Sequence, residues 1–125
     1  MISKKLALEV LNVALSTGGD FAEIFLEETH SATYLVENGK TQPPTTSLTY
    51  GAGIRILKGL QSVYGHTSDL SKKGLPKLAT ALSASQNSPQ THSVEKIRKV
   101  KVKAKHELKR SVETLNVEEI IDKLK

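Results

Sequence analysis

Apolar positions fall at helical spacing near both ends of residues 2–85 and alternate with polar ones between. In residues 2–16, Leu6, Val10, Val13 and Ala14 lie at i, i+4, i+7 and i+8, one stripe of an amphipathic helix. Ser3 is its expected N-cap and Gly18-Gly19 its stop. Residues 20–29 change period: Ala22, Ile24 and Leu26 share one face, and Phe21, Glu23, Phe25 and Glu27 the other, which predicts a strand. A second strand is expected over 31–37, where Ala32, Tyr34 and Val36 alternate with Thr33 and Leu35. Asn38-Gly39 is a strong hairpin signal. Residues 40–46 contain Pro43-Pro44, so the returning arm is expected to be an edge strand or an extended loop.

Residues 49–69 form the organising stretch. Ile54 and Ile56 oppose Arg55 and Leu57. Past a turn at Lys58-Gly59, Leu60, Ser62 and Tyr64 alternate with Gln61 and Val63. This predicts a second hairpin. Gly51, Gly53 and Gly65 weaken strand interiors, so they point to bulges or to close approach by another group. Helical spacing returns over 68–85 through Leu70, Leu75, Leu78, Ala79 and Leu82, capped by Asp69 or Ser68. Pro76 fits only if that helix begins near Ser71 or later. Residues 86–92 read as a polar loop. Over 94–106, Val100, Val102 and Ala104 oppose Lys99, Lys101, Lys103 and Lys105, the pattern of a half-buried strand. Asn116 and Glu119 resemble a capping box. Ile120, Ile121 and Leu124 begin a last stripe of roughly two turns, marginal alone, which leads us to expect a continuation beyond residue 125. The order of elements predicts an α+β fold in one domain, 1–125. An antiparallel sheet of about four or five strands is expected, with helices 2–16 and 70–85 packed on one face as a second layer.

Composition narrows the function. A chain of 125 residues buries roughly two-thirds of its unfolded surface, enough for one core. No apolar run approaches the ~20 residues of a membrane helix, and no signal peptide is recognisable at the N-terminus. The absence of cysteine removes disulfides, thiolate nucleophiles and Cys-based zinc sites; a cytoplasmic protein is expected. The net charge of +5 is concentrated: residues 96–110 hold eight Lys/Arg against one Glu, a local +7, and the remainder holds ten basic against twelve acidic residues, a net −2.

The succession GGDFAEIFLEE, YLVENGK and GAGIRILKGLQSVYGHTSDLS, between two amphipathic helices, resembles the N-terminal domain of the TldD/PmbA family. The resemblance covers roughly residues 3–85. Its most specific parts are the VENGK turn and the G-x-G-I-R-I-L…G…TSDLS run; Pro43-Pro44, Leu60 and Pro76 depart from it. The family is described as metallopeptidases of peptide maturation and degradation, also called modulators of DNA gyrase. The resemblance implies a zinc site formed by two His and a Glu on one helix of a C-terminal domain, and no such helix lies within these residues. It therefore implies a non-catalytic N-terminal domain that frames a substrate cleft and supports homo- or heterodimerisation. Its implied partners are the C-terminal peptidase domain or a second subunit, and an extended peptide.

The residues themselves offer no catalytic set. His106-Glu107 begins a metal-binding pattern, but Arg110 stands where the second His is needed, and a guanidinium cannot ligate a cation. Of the other histidines, His30, His66 and His92, His66 lies just before the helix entry beside Tyr64, where a solvent-facing or hydrogen-bonded side chain is expected. Glu27-Glu28 point to opposite strand faces, and Glu118-Glu119 suit the first turn of a helix. G-A-G-I-R-I lacks the third glycine and the Lys-Ser/Thr of a phosphate loop. Catalytic, cofactor and metal residues are therefore expected to be absent. The basic patch of Lys99, Lys101, Lys103 and Lys105 reads either as a solvated strand face or as a nucleic-acid contact. Stacking aromatics are missing from residues 65–125, which favours the solvated face. A small nucleic-acid-binding module is the alternative function.

Overall fold

A computed structural model describes residues 2–103 and 105–125. In chain order its elements are α1 (Lys4–Leu15), β1 (Phe21–Thr33), β2 (Val36–Glu37), β3 (Lys40–Thr41), β4 (Thr45–Lys58), β5 (Gln61–Thr67), α2 (Gly74–Ser83), a 3-10 turn (Val112–Thr114) and α3 (Val117–Leu124). The chain divides into two compact units, Met1–Thr29 with Thr49–Arg98, and His30–Leu48 with Lys99–Lys125. The fold class is α+β, as the sequence predicts. The strands, however, form a three-stranded antiparallel sheet ordered β1-β4-β5 and a separate β2-β3 ribbon.

The core of the first unit lies between the two long helices and one face of β4. Ala52, Ile54 and Ile56 on β4, Leu6, Val10 and Ala14 on α1, and Leu75 and Ala79 on α2 are all buried. Period 2 meets period 3.6 here, so one stripe from each helix covers one sheet face. Full burial of an Ile or Leu side chain contributes roughly 1.5–3 kcal/mol. Ser3 Oγ accepts from Leu6 N at 3.2 Å and caps α1. Past its end Gly18 turns at φ +95°.

Further expectations need correction. First, the strands expected over 20–29 and 31–37 are one element through Thr33, because Thr29-His30-Ser31 offers no glycine or proline to interrupt it. Second, Lys58 pairs with Gln61, so the turn residues are Gly59 and Leu60, one place later than expected. Gly59 has φ +54°, and Asp20 Oδ2 accepts from its N–H at 2.6 Å. Third, neither Asp69 nor Ser68 caps α2. Ser71 Oγ accepts from Lys73 N at 3.2 Å and from Gly74 N at 3.0 Å. The helix then starts at Gly74 and Pro76 lies in its first turn, where its missing N–H costs nothing.

The fourth correction is the largest. Residues 94–103 and 105–106 form no strand. Val100 is 66% exposed and Val102 89% exposed, so the alternation has no buried side. Alternation selects which face a strand would bury but supplies no neighbour to share its ladder. The expected position of Ala104 lies outside the described residues. Where the segment begins, Asn12 on α1 substitutes for a strand: its Nδ2 donates to Val94 O at 2.9 Å and its Oδ1 accepts from Val94 N at 2.8 Å.

In the second unit, Asn38 (φ +50°) and Gly39 (φ +74°) make the predicted tight turn, with Glu37 paired to Lys40. Asn116 Oδ1 accepts from Glu118 N at 3.2 Å and caps α3. Glu119 does not close a capping box; its carboxylate pairs with Arg110 at 3.1 Å.

Candidate functional site: the open face of the sheet

The helices cover one face of the three-stranded sheet around Ala52, Ile54 and Ile56. The opposite face is set by the side chains that alternate with the core. Arg55 marks it on β4, where its neighbours Ile54 and Ile56 are buried. The Arg55 guanidinium meets Glu23 Oε1 of β1 at 2.6 Å. Two-residue steps along β1 then place Phe21, Phe25 and Glu27 on this face beside Glu23. Tyr64 is the β5 partner of Arg55, and His66 that of Gly53, so Tyr64 and His66 share the face too. Phe25 is 58% exposed and Tyr64 60% exposed.

Two glycines shape the middle of this surface. A Cβ on Gly51 would lie 2.8 Å from the Thr67 carbonyl oxygen, and one on Gly53 would lie 2.5 Å from the Tyr64 hydroxyl. Neither position carries a side chain of its own, and the Tyr64 ring lies across β4 at Gly53. A shallow trough of about 550 Å³ results, bounded by Phe25, Glu27, Gly51, Gly53, Tyr64 and His66. That volume falls within the usual range of ligand pockets.

Lys99, Lys101, Lys103 and Lys105 are exposed and lie in irregular chain, so they share no strand face. His106-Glu107 lies outside any helix, and Arg110 is held by Glu119. Glu118 and Glu119 occupy the first turn of α3. His92 Nδ1 is 2.9 Å from Thr91 Oγ1. His66 alone of the singled-out histidines reaches the trough. Among the described residues, no three His, Asp or Glu side chains converge to hold a metal ion. The described residues do not assemble the two-His, one-Glu donor set that the resemblance implies for zinc. No helix among the described residues is long and apolar enough to cross a membrane.

Sequence reasoning missed the trough and Asn12. The trough had a signal, since glycines at two-residue spacing in a strand clear one face for a cross-strand aromatic ring. Asn12 had none, because its amide bonds a residue 82 positions away.

Fold and site together define a two-layer α+β domain with one covered sheet face and one open face. Residues 22–85, from β1 through α2, match the family model described as PmbA/TldA metallopeptidase domain 1, and the chain belongs to that family. No curated protein matches the chain.

Proposed function

We propose that these residues serve as a non-catalytic domain of a PmbA/TldA metallopeptidase, with the open sheet face forming one wall of the substrate cleft. The observation that carries this reading is the exposure of Phe21, Phe25 and Tyr64 together on one sheet face. Exposed aromatic clusters on a rigid sheet suit a partner surface or an extended ligand. β1 is also an outer strand, so its backbone is available for strand addition by a peptide. In this reading the metal and its ligands belong to the C-terminal peptidase domain that the family implies. The same face or edge then supports assembly with that domain or with a second subunit.

The test is to titrate an isotopically labelled 125-residue chain with a flexible, unstructured peptide in the presence of zinc. Amide shifts confined to β1 and the open face, with the peptide left uncut, are expected. Turnover that a chelator abolishes would overturn the non-catalytic assignment. Shifts confined to the helix side would overturn the cleft assignment.

A further inference from the structure

The trough above Gly51 and Gly53 has a chemical character beyond its shape. Phe25 and Tyr64 contribute aromatic rings to it, and Glu27 contributes a carboxylate. Among the described residues, no Lys or Arg lines it, and the one basic side chain there is the His66 imidazole. The nearby cation on this face, Arg55, is already engaged by Glu23 at 2.6 Å. Thr29 Oγ1 donates to Glu27 Oε1 at 3.0 Å, which restrains the orientation of that carboxylate.

Aromatic faces carry the negative side of the ring quadrupole, and the carboxylate adds a full negative charge. A ligand that satisfies both needs an apolar stem to lie along the rings and a cationic head to reach Glu27. An ammonium or guanidinium on a methylene chain has that form. An anionic side chain is repelled, and a purely apolar one meets the rings but not the carboxylate. Gly53 is already covered by the Tyr64 ring, so the stem would lie against that ring and beside Gly51, which raises no side chain of its own.

We infer that the trough is a subsite for a lysine or arginine side chain of an extended peptide. The inference rests on the reading that the open face receives substrate, and it adds a preference for basic residues.

The experiment uses the 125-residue chain with Nα-acetyl-lysine methylamide, its norleucine counterpart, and a flexible lysine-free peptide, followed by NMR titration. The lysine probe is expected to shift resonances of Phe25, Gly51, Gly53 and Tyr64 and to bind at least about threefold more tightly than norleucine. Glu27→Gln and Phe25→Leu, both at exposed positions, are each expected to weaken the lysine probe by about two- to fivefold. Equal binding of the two probes, or lysine binding indifferent to both substitutions, overturns the subsite. If the lysine-free peptide binds the open face and the lysine probe does not, the basic subsite fails while the cleft reading stands. If the lysine probe binds and neither the lysine-free peptide nor a lysine-containing one does, the cationic pocket stands and the peptide reading falls.

Discussion

The Tyr64 ring occupies the space that a side chain on Gly53 would fill: a Cβ built there lies 2.5 Å from the Tyr64 hydroxyl and 2.8 Å from Cε2. Tyr64 pairs directly with Arg55, so Gly53 is its diagonal neighbour across the ladder, within reach of an aromatic ring. The contact explains why a strand interior keeps a residue that weakens it. Gly53→Ala should therefore destabilise by about 1 kcal/mol in the presence of Tyr64, because the half-exposed ring must swing off β4. In a Tyr64→Ala background the same substitution should cost about 0.5 kcal/mol less or become favourable, since alanine restricts the unfolded chain. Gly51→Ala meets the Thr67 carbonyl at 2.8 Å instead. Backbone cannot swing away, so its cost of about 2 kcal/mol should persist in both backgrounds. Denaturant midpoints of the three single and two double variants separate these cases.

The two faces of β1 and β4 should respond differently to truncation. Ile54 is fully buried between α1, α2 and the sheet. Ile54→Val should cost about 0.5–1.5 kcal/mol and Ile54→Ala about 2–5 kcal/mol. Phe21→Ser or Phe25→Ser on the open face should change stability by less than about 1 kcal/mol, while weakening any ligand of that face. A large loss at Phe25 in urea titrations would mean that the open face is part of the core.

What was legible in the sequence follows the same division. Ile54 and Ile56 announce their face because alternation and burial are local facts. Asn38-Gly39 announces its turn because two successive positive φ values demand those residues. The end of β1 was misplaced because a strand stops where its pairing stops, and pairing is not local. The lysine row failed for the same reason. Val100 and Val102 carry the alternation of a strand, yet no other strand lies along them among the described residues. The trough was half legible: Gly51 and Gly53 signalled a close approach, but only the register of β4 on β5 shows that Tyr64 is what approaches.

Gln86 presents an unfilled need. It is 5% exposed, and neither side-chain amide atom has a hydrogen-bond partner among the described residues. A Cβ on Gly19 would lie 3.5 Å from its Oε1 and 2.8 Å from Ile56 Cγ2, so the amide sits against the apolar end of the core. Burial of an unsatisfied amide costs about 1–3 kcal/mol. Gln86→Met keeps the length and removes the polar atoms, so it should raise stability by about 1 kcal/mol. Gln86→Glu should lower it, because the site would then desolvate a charge. Thermal unfolding at one pH gives the order Met above Gln above Glu; the reverse order would show that the amide is satisfied in solution.

Asp69 gives the entry to α2 an acid dependence. Its carboxylate accepts from Ser71, most strongly through the side-chain hydroxyl and also from the backbone N–H at 3.0 Å, and these bonds hold its pKa below the ordinary 3.8. A carboxylate with a lowered folded-state pKa adds stability that is fully present well above 3.8 and is lost as pH falls through the folded value. In Asp69→Asn the amide oxygen can still accept from Ser71 N but cannot titrate. The fall in thermal midpoint below that range should be shallower in Asp69→Asn than in the wild type. Parallel curves would remove Asp69 from the acid response.

The lysine row provides the sharpest test of what charge does here. Lys99, Lys101, Lys103 and Lys105 are exposed in irregular chain and make no ion pair among the described residues. Replacing all four with Gln removes four of the eight basic residues in 96–110. Stability should change by less than about 0.5 kcal/mol, since exposed charges away from specific partners contribute little. Retention on heparin should fall and lose salt dependence in proportion to the charges removed. Without aromatic side chains in 65–125 to stack on bases, retention on single-stranded DNA should be no stronger than on a duplex of equal charge. Tighter binding to the single strand, abolished in the quadruple variant, would establish these lysines as a nucleic-acid site and favour the small binding module over a peptidase domain.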